Sequence, residues 1–470
     1  MTSDVTSLTA TDISAGIRDG RFTARAVTEA HLARIATHDA ALGAFTAVTR
    51  DRALAEADAV DQARAKGLPL GPLAGVPFAV KNLYDIKGIA TLAGSRINRD
   101  HAPATRDAAL ISRLNAGGGV LLGALNMGEY AYDFTGENAH DGPSRNPHDL
   151  RRMSGGSSGG SGTAAAAGLA PVTLGSDTNG SIRVPASLCG LFGLKPTYGR
   201  LSKAGTFPFV ASFDHLGPLA RSTADCAAFY DAMAGHDPDD PVCRDHQAEA
   251  LVPMLGRGIG QLRIARAAGY FDRYADRQAL AATERVARVL GAAPGLEIPD
   301  VAEARAAAYV ITNSEGGSFH LDRLKTRPRD FDPETRDRFI AGALLPAAYV
   351  NKAQRVRGRY RAAMLRLFQD IDVIIAPATP TQAPSLGQKT FELGGATLPV
   401  RASLGLFTQP FSFIGLPVMS VPVWLDGETL PIGVQVIAAP WREDIVVRVS
   451  AALERDGVVA SKVASLKEPA

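Results

Sequence analysis

The sequence predicts an α/β protein whose strands form one largely parallel or mixed sheet. Strand-like apolar segments alternate with helix-like segments through residues 77–178, a pattern typical of βαβ units. The alternation returns over residues 260–312. No internal repeat divides the 470 residues, so one large domain fits better than several linked domains.

Residues 1–66 are interpreted as an N-terminal helical region. Thr23 is a typical N-cap for a helix over Ala24–Thr37, whose apolar residues recur at helical spacing. Arg52–Lys66 is rich in Ala and charged residues, and Gly67 ends it. These helices precede the first predicted strand.

Strands are predicted where short apolar runs end in turn-forming residues. They lie at Phe78–Lys81, Gly118–Leu125, Pro171–Leu174, Leu262–Ala265, Leu296–Ile298, Val373–Pro377, Leu416–Pro422 and Ile432–Ala438. Predicted helices between them are Arg106–Ala116, Thr163–Leu169, Ser222–Met233, Asp276–Leu290, Val301–Thr312 and Pro346–Phe368. The Gly- and Pro-rich segment 187–220 is interpreted as loop. A core region 72–235 and a C-terminal region 260–465 complete the predicted domain, 1–470.

Composition excludes several classes of protein. Apolar residues make up 46%, charged residues 21%, and the formal charge of +2 implies no attraction to nucleic acid. No signal peptide or membrane span is expected. The three cysteines, Cys189, Cys226 and Cys243, indicate a reducing compartment and hence the cytoplasm. No metal-ligand spacing is present, so neither a metal nor another cofactor is expected.

Residues 154–162 consist only of Gly and Ser. Such a run is usually a flexible linker, but this one continues directly into a predicted helix and strand. A phosphate-binding loop is the second alternative, and it would need a Lys after the last Gly. The remaining interpretation is a loop in which Gly permits unusual backbone angles and Ser supplies hydroxyl groups.

Residues 177–181 form a predicted tight turn that ends at a nucleophile. Asn179 and Gly180 are residue types that tolerate a positive φ. The turn would expose the backbone N–H groups of Thr178, Asn179, Gly180 and Ser181 as an oxyanion hole. Ser181 would then offer its hydroxyl at the tip.

Lys81 follows three apolar residues at a predicted strand end. Burial there would be costly without a partner or a chemical role, and an exposed strand end is an equal alternative. A neutral lysine can act as the base for a serine nucleophile. Lys81, Ser157 of the Gly/Ser loop and Ser181 can therefore be joined into one mechanism.

Three motifs identify a family. Residues 155–161, 177–186 and 193–197 together resemble the amidase signature family, as do 77–82, 125–129 and 430–435. The resemblance spans nearly the whole chain. It implies one α/β/α domain with a mixed sheet covered by helices, and places the catalytic core at 72–235.

The resemblance also implies a Ser–cisSer–Lys triad that hydrolyses a C–N amide bond through an acyl-enzyme. Lys81 matches the general base, Ser157 the relay serine that follows a cis bond after Gly156, and Ser181 the nucleophile. Asn179 departs from the glycine that many members have, which affects the expected substrate rather than activity.

Stretches outside the general signature indicate a branch of the family. Residues 92–96, 213–217, 311–316, 320–323 and 437–441 resemble the branch that hydrolyses 1-carboxybiuret, a small carboxylated urea, with release of ammonia during cyanuric acid and s-triazine degradation. That resemblance implies a small helical partner subunit. His320 and Arg327, with Arg323 and Arg336, are candidate substrate-binding residues. The alternative for each is a solvated, charged helix face.

Three alternatives stay open. An amidase of another small amide, such as allophanate or malonamide, would keep the same triad. The glutaminase subunit of a tRNA-dependent amidotransferase would share the signature. An inactive scaffold is disfavoured because Lys81, Ser157 and Ser181 are all present.

Overall fold

The computed structural model describes residues 4–466, so residues 1–3 and 467–470 of the predicted domain lie outside the description. The described strands are β1 (Phe45–Val48), β2 (Pro77–Lys81), β3 (Val120–Leu125), β4 (Val172–Asp177), β5 (Phe192–Lys195), β6 (His215–Ala220), β7 (Ile264–Ala267), β8 (Ala293–Leu296), β9 (Val373–Pro377), β10 (Thr390–Leu393), β11 (Ala396–Pro399), β12 (Val418–Val423) and β13 (Ile432–Ala438).

The α-helices in the same part of the chain are α1 (Ala10–Arg18), α2 (Ala24–Leu42), α3 (Arg50–Ala65), α4 (Ala109–Ala116), α5 (Gly159–Ala166), α6 (Arg183–Cys189), α7 (Thr223–Met233), α8 (Tyr270–Arg273), α9 (Arg277–Val289), α10 (Val301–Phe319), α11 (Leu321–Thr326), α12 (Pro333–Ala343), α13 (Ala347–Asp370), α14 (Val400–Ser403), α15 (Gln409–Phe413) and α16 (Glu443–Arg455). Side-chain caps begin several of them. Thr23 accepts a hydrogen bond from the Ala26 N–H at α2, and Asp276 accepts one from the Ala279 N–H at α9.

Eleven strands form one mixed sheet in the order β1-β3-β2-β4-β6-β5-β12-β13-β9-β7-β8. Strand β2 runs parallel to β3 and β4, and β7 runs parallel to β8 and β9. The other pairs are antiparallel, and β10 and β11 form a separate two-stranded sheet. The predicted α/β class with a mixed sheet is confirmed.

The central strands are buried on both faces. Every residue of β2, β3, β4, β6, β9, β12 and β13 is buried, so helices cover the sheet on both sides. Helix α7 packs near β6, α16 packs near β12 and β13, and α10 packs against α12 and α13. The core therefore lies along the sheet.

The neighbouring parallel strands β2 and β4 place the site. Val80 pairs with Leu174, so both strands end at the same edge of the sheet. Lys81 ends β2, and Asp177 ends β4 only a few residues before Ser181. Lys81 and Ser181, which are far apart in sequence, thus lie at the same edge of the sheet.

The segment 187–220, expected to be loop, contains β5 and β6. Gly217 and Pro218 in β6 are unusual strand residues and hid the strand. A Cβ on Gly217 would lie 2.1 Å from the Leu194 carbonyl oxygen, so the close approach of β5 requires glycine. The structure also adds β1 to the predicted helical region, adds α12, and extends α10 to Phe319.

Candidate active site

Lys81 is completely buried at the end of β2, which rules out the exposed strand end. Its Nζ lies 2.7 Å from Ser157 Oγ and 2.8 Å from Ser176 Oγ. Ser176 is the residue before the last in β4, so the parallel pairing of β2 and β4 brings it to Lys81. The lysine side chain thus contacts two hydroxyl groups in the protein interior.

Burial lowers the pKa of Lys81 to about 7, although Asp214, Asp177 and Asp133 act in the opposite direction. A large fraction of the lysine is therefore neutral near pH 7. The neutral amine can accept a proton across the same 2.7 Å contact with Ser157 Oγ.

The Gly156–Ser157 peptide bond is cis, as the family resemblance implies. The Gly156 N–H donates to the Phe134 carbonyl at 2.9 Å. A Cβ on Gly156 would lie 2.4 Å from an oxygen of Asp133 and 2.7 Å from the Gly136 nitrogen. Only glycine fits at this point, so residues 154–158 form a tightly packed loop and not a linker, and the rest of the Gly/Ser run, 159–162, begins helix α5.

The turn after β4 leads to Ser181, which is 2% exposed. Gly180 has a φ of +144°, and Thr408 Oγ1 lies only 2.0 Å from the position of an added Cβ. Asn179 has no positive φ, contrary to expectation. Its side-chain amide donates to Thr312 Oγ1 at 3.0 Å, and its carbonyl accepts from Thr408 Oγ1 at 2.8 Å. These contacts hold the turn in place.

A buried ion pair lies beneath this turn. Arg183 donates to both carboxylate oxygens of Asp177, at 3.0 and 2.9 Å, and both side chains are fully buried. Ser412 Oγ donates to the same carboxylate at 2.8 Å. Despite desolvation, the Arg183 guanidinium holds the pKa of Asp177 well below its usual range. The ion pair fixes both ends of the segment that carries Ser181.

A cavity of about 390 Å³, counting its space open to solvent, contains Ser181. Thr178 and Asn179 also line it, whereas Lys81 and Ser157 are not among its lining residues. The remaining lining residues are Ala131, Tyr132, Asp133, Phe134, Phe209, Tyr309, Thr312, Arg338, Arg401, Ala402 and Gln409. Its walls are therefore mostly aromatic and polar, with two guanidinium groups.

The two guanidinium groups differ in their partners. Arg401 lies 3.6 Å from Asp133, 3.1 Å from Asp332 and 3.3 Å from Glu334, so its charge is compensated. Arg338 lies over the Tyr132 ring, 4.9 Å from its centroid. Arg338 has no carboxylate within ion-pair distance among residues 4–466 and interacts with Glu334 only at longer range, so its guanidinium can still bind an anion in the cavity.

The predicted substrate residues lie elsewhere. His320 is fully buried among aromatic rings, 4.0 Å from the Tyr130 centroid and 4.7 Å from that of Phe339. Burial lowers its pKa to about 3, so the imidazole is neutral. Arg327 pairs with Asp100 at 2.8 Å and with Asp330 at 2.7 Å. Neither residue lines the cavity at Ser181.

The two other candidate substrate-binding residues, Arg323 and Arg336, also contact protein side chains. Arg323 lies over the Phe207 ring and Arg336 pairs with Asp337. Sequence reasoning missed Arg338, two residues beyond Arg336, because nothing in the sequence distinguishes it among 50 basic residues. It missed Ser176 as well, although the adjacency of β2 and β4 could have suggested that residue.

Among residues 4–466, no group of three or more His, Cys, Asp or Glu side chains has an arrangement that could hold a metal ion. Over the same range, no helix is both long enough and apolar enough to cross a membrane.

Lys81 thus contacts the serine that follows the cis bond, and the turn after β4 brings Ser181 to the cavity. The family model named Amidase matches residues 26–447, and the chain belongs to that family. It is therefore an amidase-family hydrolase, which confirms the predicted family and class of enzyme.

Two relatives show how this chain compares with known members. It is 54% identical over 452 residues to AtzE, the 1-carboxybiuret hydrolase subunit of Pseudomonas sp. strain ADP, covering 96% of this chain and 99% of that protein. It is 38% identical over 487 residues to a glutamyl-tRNA(Gln) amidotransferase subunit of Streptomyces coelicolor, covering 96% of each.

Solved structures agree with these relationships. One belongs to a vestigial protein complex that reveals the evolutionary origins of an s-triazine catabolic enzyme; the match has a TM-score of 0.96 and 54% identity, and covers 97% of this chain and 100% of that chain. A glutamyl-tRNA(Gln) amidotransferase subunit of Thermotoga maritima matches with a TM-score of 0.82 and 27% identity, over 99% and 100% of the two chains.

Proposed function

We propose that this enzyme hydrolyses the C–N amide bond of a small carboxylated urea, 1-carboxybiuret or a close analogue, and releases ammonia. The observation that carries the proposal is the unpaired Arg338 in the same cavity as Ser181. A guanidinium group without a protein carboxylate suits a substrate that brings its own. The 54% identity to a 1-carboxybiuret hydrolase subunit supports the same substrate.

In this mechanism neutral Lys81 takes the proton of Ser157 while Ser157 takes the proton of Ser181. Ser181 Oγ then attacks the substrate carbonyl carbon, and the carbonyl oxygen becomes an oxyanion. The backbone N–H groups of Thr178, Asn179, Gly180 and Ser181 are the proposed oxyanion donors. The 2.7 Å contact between Lys81 and Ser157 supports the first transfer.

Collapse of the oxyanion breaks the C–N bond, and the relay returns the proton to the leaving nitrogen, which departs as ammonia. A water molecule then attacks the Ser181 ester, with the same relay removing its proton. The relay returns that proton to Ser181 Oγ as the ester bond breaks, and the products are ammonia, a carbamic acid and free Ser181. No metal or organic cofactor takes part in this scheme.

The substrate carboxylate is proposed to bind Arg338. Arg401 is a weaker candidate because Asp133, Asp332 and Glu334 already surround it. Arg338 replaces His320 and Arg327 in this role, since those two side chains lie among aromatic rings and in surface ion pairs.

An ammonia-release assay tests the proposal. The chain is supplied with 1-carboxybiuret, biuret, allophanate, malonamide and glutamine at equal concentration, and the kcat/KM of each is compared. The expected order places 1-carboxybiuret first. Preference for glutamine would favour the glutaminase alternative, which the 38% identity to an amidotransferase subunit keeps open. Preference for neutral biuret would refute recognition of a carboxylate.

A small helical partner subunit is also proposed, because a relative of 54% identity was solved as part of a protein complex. Of ten exposed large apolar residues in the described chain, five lie between residues 319 and 349. These are Phe319, Leu321, Ile340, Leu344 and Tyr349. We propose that they form one surface, which we call the 319–349 apolar face. A cytoplasmic location is proposed from the three free cysteines.

A further inference from the structure

A second cavity lies at helix α13, and none of the proposed catalytic residues lines it. It measures about 880 Å³ including its space open to solvent. Its lining residues are Thr197, Tyr198, Arg244, Gln354, Arg357, Gly358, Arg361, Ile414, Gly415, Pro440 and Trp441. Three are arginines and none is acidic. We call this the arginine cavity.

Arg357 is held rigidly in the wall of this cavity. Its Nε donates to the Phe413 carbonyl at 2.7 Å and its Nη2 to the Ser212 carbonyl at 2.9 Å. The guanidinium also lies 4.6 Å from the centroid of the Phe213 ring. Its Nη1 makes no hydrogen bond within the described residues. This nitrogen of Arg357 can therefore donate to a ligand.

Arg244 and Arg361 are exposed, and neither has a carboxylate within ion-pair distance in residues 4–466. The positive charge of Arg361 disfavours the charged form of Arg357 and helps to lower its pKa, although burial is the larger cause. Glu315, a carboxylate that acts on Arg357, already accepts hydrogen bonds from the N–H and hydroxyl of Ser212. Three cations therefore line one cavity whose own lining contains no carboxylate.

We propose that the arginine cavity binds a small oxyanion with at least two negatively charged oxygens, either phosphate or a dicarboxylate. One partly buried and two exposed guanidinium groups together match the planar or tetrahedral oxygens of such anions. Gln354 and Thr197 add neutral hydrogen-bonding groups to the wall. The site is separate from the one proposed for the urea substrate, and its existence does not depend on that substrate.

Isothermal titration calorimetry on the full chain tests this proposal. Sodium phosphate and sodium malonate are titrated separately at constant ionic strength, with sodium chloride as the reference. We expect saturable binding of at least one anion, and the stronger of the two identifies the ligand source as phosphate or carboxylate. Failure of both anions to bind overturns the proposal.

Variants locate the binding. Arg361→Gln and Arg244→Gln should each weaken the anion about tenfold or more, as expected for loss of one charge-assisted contact. Arg366→Gln is the matched control, because Arg366 is exposed on the same helix but outside the cavity lining. Equal losses in Arg361→Gln and Arg366→Gln, or a loss only in Arg338→Gln, would refute a site in the arginine cavity.

Discussion

Lys81 Nζ and Ser157 Oγ lie 2.7 Å apart, and both side chains are completely shielded from solvent. Lys81 ends a strand of the central sheet, and Ser157 follows a cis peptide bond in the Gly/Ser loop. Because neither side chain reaches solvent, water cannot take the place of either one in this hydrogen bond. The proposed proton transfer depends on this contact and on the charge state of one lysine.

The pH profile should report that charge state. Because burial lowers the pKa of Lys81 to about 7, the neutral base is lost as pH falls below that value. We expect kcat/KM to fall by about tenfold per pH unit on the acidic limb and to level off above neutrality. Initial rates of ammonia release in overlapping buffers measure this. A flat profile from about pH 5.5 to 8 would contradict Lys81 as the base.

The same lysine should make stability depend on pH. The unfolded chain keeps the Lys81 proton up to its ordinary pKa of 10.5, whereas the folded chain loses it near 7. The unfolded state thus binds more protons in that window, so the free energy of unfolding contributed by this group rises with pH. Lys81→Met should reduce that rise, measured by urea denaturation from about pH 7 to 10.

Lys66→Met supplies the control for this measurement, because Lys66 is exposed at the end of α3. Its side chain is in water in the folded chain as in the unfolded chain, so the denaturation curves of Lys66→Met should follow those of the unmodified chain. An unchanged pH dependence in Lys81→Met would mean that the buried lysine keeps its proton.

Substitution of Ser181 and of Ser157 should distinguish the nucleophile from the relay. Ser181→Ala should abolish turnover while changing the free energy of unfolding by about 1 kcal/mol or less. Ser157→Ala should lower kcat by about 10² or more, since a general acid–base relay contributes 10²–10⁴. Single-turnover ammonia release and thermal unfolding measure both effects. A Ser157→Ala enzyme with nearly normal kcat would remove the relay from the mechanism.

Ser161→Ala is the matched control in the same Gly/Ser run. Ser161 is also fully buried, but its Oγ donates to the Leu174 carbonyl at 3.0 Å and not toward Lys81. Its loss should cost about 1 kcal/mol of stability and leave kcat nearly unchanged.

Local signals in the sequence identified most of the secondary structure and the motifs of the site. Lys81, Ser157 and Ser181 lie in motifs with recognisable spacing, and Thr23 and Asp276 cap their helices as expected. β6 was missed because Gly217 and Pro218 disfavour a strand locally, while pairing with β4 and β5 supplies its hydrogen bonds. Pairing with neighbouring strands, and not local sequence preference, therefore determines that β6 is a strand.

Substrate-facing residues were the least predictable part. Arg327, Arg336 and Arg338 lie within twelve residues of one another and look equivalent in sequence. Their environments differ only after folding: the first two are in ion pairs, and the third faces the cavity at Ser181. Which arginine lacks a carboxylate partner is set by the packing of α12, a helix that the sequence pattern did not predict.

Arg338→Gln should therefore raise KM for the carboxylated substrate by about tenfold or more with a smaller change in kcat, because it removes a charge-assisted contact. For a neutral amide such as biuret, KM should hardly change. Arg336→Gln serves as control, since that side chain pairs with Asp337 at 2.8 Å outside the cavity. Equal losses on charged and neutral substrates would indicate a structural effect in place of recognition of the carboxylate.

The last prediction concerns association through the 319–349 apolar face. Leu344 is 77% exposed and Tyr349 60% exposed, so water contacts large apolar surfaces there. A partner that covers this face would remove that area from water and stabilise the complex. Leu344→Glu should lower the yield of complex on co-expression with the proposed small helical subunit, as measured by size-exclusion chromatography with light scattering. Leu68→Glu, at a residue 54% exposed beyond the end of α3, should leave the complex intact. If both variants assemble equally well, the partner binds elsewhere. If the chain alone remains monodisperse and fully active, it needs no partner, and the proposed chemistry at Ser181 is unaffected.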